Sequence, residues 1–170
     1  KGDLHMHSMQ SDGREPPAYV AGACRRIGLD FMALTDHHTY QPSLDAQAAY
    51  EGVATDLAMY PGEEVHPPAV WAHVVHVGGR HSVNEQHHEE ARYRAEVAAI
   101  EATLDPGLDP GVRYQDAAIR WSCRKIHAAD GLAIWAHPYW VNSDMYNVPE
   151  AVQRLQWAAP EFDALELIGG

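Results

Sequence analysis

The sequence has few of the residues on which several classes of active site depend. Only two of its 170 residues are cysteines, Cys24 and Cys123, and their separation forms no CxxC motif. We expect two unpaired core thiols, with a disulfide as the alternative, and no thiolate metal site. The sequence also contains no GxSxG motif and no phosphate-cradling glycine-rich loop, so no serine nucleophile elbow or P-loop is indicated.

Basic residues and long apolar runs are scarce as well. Twelve lysines and arginines stand against 24 aspartates and glutamates, giving a net charge of −12. This balance opposes binding to nucleic acid, so we expect a small-molecule substrate as the partner. No apolar run approaches the roughly 18 residues of a membrane span, so no membrane partner is expected.

The sequence leaves the compartment and the oligomeric state open. No signal peptide is visible, but the chain begins at Lys1 rather than at a methionine. We therefore expect the N-terminus to be incomplete, which is compatible with either a cytoplasmic or a secreted protein.

Histidine, in contrast, is abundant, with 12 in the chain. In the opening stretch, Asp3 to His7 alternates as a strand does, so His5 and His7 lie on one face and about 6–7 Å apart at the backbone. Both imidazoles can then reach one ion. Ser11-Asp12-Gly13 reads as a turn that places Asp12 near the same strand end.

Strands and helices alternate along almost the whole chain. Strands are predicted over residues 3–7, 30–34, 57–60, 71–77, 132–136 and 164–168, and helices over 16–27, 43–50, 84–104, 114–129 and 149–158. Two Asp-Pro-Gly units between the third and fourth helices read as a linker. This order is typical of a single α/β domain with a parallel sheet, whose functional site lies at the C-terminal strand ends.

Polar residues suited to metal binding follow five or six of the predicted strands. These candidates are His5, His7, Asp12, Asp36, His37, Glu64, His73, His137 and Glu166. Mixed histidine and carboxylate ligands suit zinc, manganese or iron. Two or three such ions would bring the pKa of a bridging water toward neutrality and neutralise the charge that develops on an ester.

Several short motifs together resemble the PHP family, named for polymerase and histidinol phosphatase. They are Asp3-Leu4-His5-Met6-His7-Ser8, Ser11-Asp12-Gly13, Leu34-Thr35-Asp36-His37, Pro61-Gly62-Glu63-Glu64 and Ala136-His137-Pro138, in the family's order. Lys1-Gly2-Asp3-Leu4-His5 and Trp71-Ala72-His73-Val74 look most like the metallohydrolase branch that includes carbaryl hydrolase. The resemblance covers nearly the whole chain.

The resemblance implies a distorted (β/α)7 barrel with two or three divalent metal ions, zinc, manganese or iron, at the C-terminal strand ends. By motif, His5, His7 and Glu64 would hold the first ion, Glu64, His73 and His137 the second, and Asp12 and His37 a third. The family's final Asp-x-His motif is absent before Gly170. We therefore expect residues 1–170 to be a single PHP domain that is truncated at its C-terminus.

The resemblance also implies a function, a metal-dependent hydrolase in which a metal-bridged hydroxide cleaves an ester, with a phosphoester favoured. The alternatives are a carbamate or carboxylic ester hydrolase with the same metal centre and a non-catalytic metal-binding domain of a larger protein. The candidate catalytic residues are Asp36, which would hydrogen-bond a ligand histidine, and His37. Glu63 is the rival of Glu64 for the bridging position, since adjacent strand residues face opposite sides.

Overall fold

The computed structural model describes residues 1–142 and 144–167. Its helices and strands in these ranges are β1 (Gly2–Asp3), α1 (Pro17–Arg26), β2 (Phe31–Ala33), α2 (Gln41–Ala49), β3 (Ala58–Tyr60), β4 (Gly62–Val65), β5 (Val74–Val77), a 3-10 helix (Asn84–His88), α3 (Glu90–Glu101), α4 (Pro110–Ala128), β6 (Leu132–Trp135), β7 (Val141–Asn142), β8 (Met145–Tyr146), α5 (Glu150–Ala158) and β9 (Ala164–Leu165). In the described ranges, none of the helices is both long and apolar enough to pass through a bilayer.

The strands form two main sheets that remain open. One has the order β1-β2-β3 and is parallel, and the other has the order β4-β5-β6-β9. Within the second sheet, β5 runs antiparallel to both β4 and β6. The mixed α/β class is therefore confirmed, but the prediction of a wholly parallel sheet is wrong. A loop without a helix joins β4 to β5, so the chain turns back beside the strand it has just left.

The reversed direction of β5 explains the position of His73. The predicted strand over 71–77 contains this histidine, whereas β5 begins after it, at Val74. Because β5 runs against its neighbours, its first residue lies opposite the last residues of β4 and β6, Val65 and Trp135. His73 therefore reaches the same edge as residues that follow parallel strands.

The first strand is shorter than predicted. Pairing between β1 and β2 ends at Asp3, and the side chain of Asp3 accepts a hydrogen bond of 3.0 Å from the backbone N–H of His5. A side chain that binds a nearby backbone N–H in this way competes with the ladder. The segment nevertheless stays beside the second strand, because Thr35 donates its backbone N–H to the carbonyl of Met6 at 2.8 Å.

Two helices also differ from their predicted lengths. The predicted helix over 84–104 is divided at Glu89, whose ψ of 59° is not helical, into the 3-10 helix and α3. In contrast, α4 begins earlier than predicted, because Asp109 caps it by accepting hydrogen bonds from Gly111 and Val112. Ile168, the last residue of the final predicted strand, lies outside the described residues.

The hydrophobic core occupies both faces of the second sheet. On the outer face, α4 and α5 cover Trp135 and Val74. On the inner face, Val75 and Ile134 pack against Ala33 of β2, which joins the two sheets. Cys24 and Cys123 are buried and unpaired, as predicted.

Candidate metal centre

Six imidazoles surround the carboxylate of Glu64, which is fully buried in β4. Its Oε2 atom lies 3.3 Å from His5 Nε2, 3.5 Å from His7 Nε2, 2.8 Å from His37 Nδ1 and 3.7 Å from His66 Nε2, and its Oε1 atom lies 2.9 Å from His73 Nδ1 and 3.1 Å from His137 Nε2. Burial opposes ionisation, but His137, His37 and His5 outweigh it and hold the pKa of Glu64 far below its usual range. The centre of the cluster is therefore an anion.

Backbone contacts bring the two sheets together at this anion. An isolated parallel bridge pairs His37, which follows β2, with Glu64 of β4. The N–H of Glu64 donates to the carbonyl of Asp36 at 3.1 Å, and the N–H of His38 donates to the carbonyl of Glu64 at 3.3 Å. The strand ends of both sheets therefore deliver their histidines to one edge.

Glu166, which follows β9, supports two of the predicted ligands. Its Oε1 lies 2.6 Å from His5 Nδ1, and its Oε2 accepts the backbone N–H of His137 at 2.9 Å. His137 has a φ of +27°, so this bond stabilises a backbone conformation that is rare outside glycine. Burial disfavours a charged His5, but Glu166 and Glu64 outweigh that effect and raise its pKa to about 10. The sequence alone left the role of Glu166 undecided.

His7, Asp12 and His37 form a second pole of the cluster. Asp12 Oδ1 lies 3.6 Å from His7 Nδ1, and Asp12 Oδ2 lies 3.3 Å from His37 Nε2. Burial and the neighbouring His37 lower the pKa of His7. The pKa of His37 is raised, because Glu64 and Asp12 outweigh the effect of its burial. The Asp12 side chain is 63% exposed, so this pole faces the solvent.

Asp36 is placed differently from its predicted role. Its buried carboxylate accepts hydrogen bonds from the N–H and hydroxyl of Ser8, at 2.7 and 2.8 Å, and from the hydroxyl of Ser11 at 2.6 Å. Among the described residues, these bonds replace the predicted bond to a ligand histidine. Asp36 therefore fixes the loop that carries Asp12.

Glu63 faces away from the cluster, on the opposite side of β4 from Glu64. Its carboxylate lies 3.3 Å from Nδ1 of His76, the residue opposite it on β5, and it accepts hydrogen bonds from Ser82 and Asn84. Of the two neighbouring glutamates, the structure places only Glu64 among the histidines. Glu63 is part of a polar network on the other side of the sheet.

His66 is a member of the cluster that the sequence reasoning missed. Its Nε2 lies 2.6 Å from His37 Nδ1, and its ring stacks on His73 with the centroids 3.6 Å apart. Burial lowers its pKa to about 4, and the nearby His73 and His37 add to this, so the ring is neutral at neutral pH. The signal was available: Glu64 and His66 are two residues apart, the same spacing as His5 and His7.

The donor atoms fit a divalent metal ion. His5 Nε2, His7 Nδ1 and Glu64 Oε2 are buried and have no hydrogen-bond partner among the described residues. Unsatisfied buried polar atoms are destabilising, by about 1–3 kcal/mol each, and coordination of an ion would satisfy them. Three groups have donor atoms within 4.8 Å of one another: His5, His7 and Glu64; His7, Asp12 and His37; and His37, Glu64, His66 and His73.

The sequence comparisons find a relative for only a short part of the chain. No family model matches. A stretch of 40 residues, 24% of this chain, is 52% identical to the DNA polymerase/3'-5' exonuclease PolX of Bacillus subtilis (strain 168). That stretch spans only 7% of the length of the relative.

The fold comparisons cover almost the whole chain. A proposed metal-dependent phosphoesterase from Bifidobacterium adolescentis matches 98% of this chain and 77% of its own, with a TM-score of 0.61 and 17% identity. A two-domain protein from Bacteroides vulgatus, which contains a predicted PHP-like metal-dependent phosphoesterase, matches 98% of this chain and 43% of its own (TM-score 0.59, 19% identity). The chain has a PHP-like fold.

A third solved structure shares this fold. It is an amidohydrolase from Chromobacterium violaceum with bound sulfate and no metal, and it matches 96% of this chain and 75% of its own (TM-score 0.58, 18% identity). At these identities the comparisons establish the fold. The predicted likeness to the carbaryl hydrolase branch stays a prediction.

Replacing His66 with alanine is expected to weaken divalent metal binding by about ten- to hundredfold, the loss typical of disturbing the groups around a metal site. The physical reason is the position of its neutral ring between His37 and His73. Competition with a fluorescent chelator measures the effect. His88→Ala is a matched control, because His88 is exposed and outside the cluster. Unchanged affinity would assign His66 to packing alone.

Proposed function

We propose that this chain is a metal-dependent hydrolase that cleaves an ester bond, with phosphoesters as the favoured substrates. The observation that carries the proposal is the buried Glu64 anion surrounded by six histidines, in which His5 Nε2, His7 Nδ1 and Glu64 Oε2 have no hydrogen-bond partner among the described residues. The names of two fold neighbours, which are described as metal-dependent phosphoesterases, support it. We also infer the distorted (β/α)7 barrel that the resemblance of the sequence motifs implies.

The residues have separate roles in this proposal. His5 and His7 would hold one divalent ion, and His73 and His137 would hold a second, with the Glu64 carboxylate in contact with all four rings. Asp12 and His37 hold a third where one is present. Zinc, manganese or iron suits these ligands, and when bound such ions lower the pKa of water and neutralise charge that develops on the ester.

The surrounding residues keep the ligands in place. Glu166 accepts a hydrogen bond from the Nδ1–H of His5 and thereby leaves Nε2 directed at Glu64. Carboxylate–histidine pairs of this kind fix the tautomer and the orientation of a ligating ring. Asp36 holds the loop of Ser8 and Ser11 that carries Asp12.

Carbamate or carboxylic ester hydrolysis is the second candidate. The cluster lines a cavity of about 720 Å³ whose described lining contains no lysine or arginine. Asp3, Asp12 and Glu166 also line it. Such a wall offers no lysine or arginine to a phosphate, and its carboxylates favour an uncharged ester. The same wall, together with the net charge of −12, opposes a nucleic acid substrate despite the short match to an exonuclease.

A substrate panel with ligand variants tests the proposal. We expect the purified chain to retain divalent metal, measured by plasma mass spectrometry, and to hydrolyse nitrophenyl phosphates, an aryl carbamate or nitrophenyl acetate. His5→Ala and His137→Ala should each lower both metal content and activity by more than about 100-fold. The exposed His88→Ala should change neither. The proposal fails if no divalent metal is retained and no ester is cleaved.

A further inference from the structure

Two tryptophans are exposed in the wall of the cavity that contains the histidine cluster around Glu64. Trp71 is 65% exposed and Trp140 is 42% exposed, and both line this cavity of about 720 Å³. Large apolar side chains exposed in a concave site are typical of ligand-binding surfaces. Trp140 also contacts the histidine cluster, because its ring lies edge-on to that of His137 with the centroids 5.5 Å apart.

Backbone hydrogen bonds fix both tryptophans relative to the cluster. Asn147 donates its side-chain amide to the carbonyl of Trp71 at 2.9 Å and its backbone N–H to the carbonyl of Trp140 at 2.8 Å. Trp140 in turn donates its N–H to the carbonyl of His137 at 3.0 Å. Asn147 thus ties together the loop before β5 and the loop after β6. Because these bonds fix the backbone of the surface, ligand binding does not carry the entropic cost of ordering the two loops.

The charges of the cavity narrow the chemistry of the ligand. No lysine or arginine is among its described lining residues, whereas Asp3, Asp12 and Glu166 are. Away from the metal cluster, a further anionic group of a substrate would meet carboxylates and be repelled. The part of the substrate outside the reacting group must therefore be neutral or cationic, and two indole rings favour a flat one.

We propose that Trp71 and Trp140 form a subsite for a planar aromatic group attached to the ester that the metal cluster cleaves. This inference rests on the proposed function for the direction of the reacting group, but the binding of the ring depends only on the two tryptophans and Asn147. The ring stacks on an indole face while the polar group extends toward Glu64. The substrate class is an aryl or arylmethyl ester without a second anionic group.

A pair of inert ligands tests the subsite without catalysis. Phenylphosphonate and cyclohexylphosphonate have the same anionic group and a six-membered ring, but only the first ring is planar and aromatic, and neither is hydrolysed. For the metal-loaded chain, calorimetry should show tighter binding of phenylphosphonate. Trp140→Ala and Trp71→Ala should each lower the affinity for phenylphosphonate by about tenfold, and the affinity for cyclohexylphosphonate much less. Trp140→Phe should retain most of the preference.

The control and the opposing outcomes separate this inference from the proposed function. Trp157→Ala removes another exposed tryptophan that lies outside the cavity, and it should leave both affinities unchanged. Equal affinity of the wild-type chain for the two ligands, or equal losses for both in Trp140→Ala, would overturn the subsite. Ester hydrolysis measured on the same samples reports on the proposed function. If the chain binds the aromatic ligand more tightly but cleaves no ester, the subsite is supported and the proposed function is wrong.

Discussion

Replacing Glu64 with glutamine is expected to remove stable metal binding and to lower ester hydrolysis by well over the roughly 100-fold that a supporting residue contributes. Glutamine has nearly the same shape, but it is neutral and its amide nitrogen would face an imidazole. The carboxylate is the shared neighbour of six histidines, with contacts of 2.8 Å to His37, 2.9 Å to His73 and 3.1 Å to His137. Because Glu64 belongs to two of the three donor groups and also contacts His137, one substitution should affect more than one ion position at once.

Metal analysis after gel filtration, together with kcat/KM on the best ester substrate, measures this effect. Glu85→Gln is the matched control, since Glu85 is exposed on the 3-10 helix and lies outside the cavity. Circular dichroism separates lost coordination from lost folding. A Glu64→Gln protein with the wild-type metal content would show that Glu64 is not a ligand. The histidines would then have to hold the ion without a central carboxylate.

Residue spacing predicted much of the cluster because its members follow strand ends. His5 and His7 are two residues apart on an extended segment, and their ring centroids lie 5.0 Å apart in the structure. His37 and His137 lie four and two residues past the ends of β2 and β6, at the edge where the cluster forms. Local alternation and the rule that strand ends meet at one edge are sufficient for these positions.

Long-range contacts were the part that spacing could not supply. Glu166 lies 161 residues from His5 along the chain. It becomes a partner of His5 because β9, which it follows, pairs with β6. His66 follows the spacing rule from Glu64, but its contacts with His37 and His73 depend on the fold. The carboxylate of Asp36 binds the hydroxyls of Ser8 and Ser11, and no periodicity encodes that choice over a nearby imidazole.

The direction of β5 shows that the fold, too, was predictable only where local pattern determines it. Helix–strand alternation predicts parallel pairing, and β1, β2 and β3 follow it. The segment between β4 and β5 lacks a helix, and a short connection without a helix joins antiparallel neighbours. The missed start of α4 was readable in principle, because Asp109 followed by Pro110 is a typical N-cap with proline at the first helical position.

Replacing Glu63 with alanine is expected to lower the free energy of unfolding by about 3 kcal/mol, because it breaks a buried ionic network. Glu63 has no exposed surface, and its carboxylate accepts hydrogen bonds from Ser82 at 2.8 Å and from the Asn84 side chain at 3.0 Å. It also faces His76 at 3.3 Å. Alanine would leave the Ser82 hydroxyl and one of the two N–H groups of the Asn84 amide buried without their acceptor. For a chain of this size, the midpoint of thermal unfolding should fall by about 10 °C.

The same substitution should also weaken metal binding, because Asn84 connects the Glu63 network to two residues of the metal centre. The Asn84 amide donates to the carbonyl of Glu64 at 2.9 Å, and its Oδ1 accepts the N–H of His66 at 3.1 Å.

The stability that Glu63 contributes should depend on pH. Although burial alone would raise the pKa of Glu63, His76 and the N–H of Val83 lower it below its ordinary 4.5. A lowered pKa stabilises the fold above pH 4.5, and this stabilisation is lost as the pH falls through the folded-state value. The stability difference between wild type and Glu63→Ala should therefore be full at neutral pH and shrink in acid. Glu85→Ala is the control, because Glu85 is exposed on the 3-10 helix that contains Asn84, and a stability difference that grows in acid would contradict a charged Glu63.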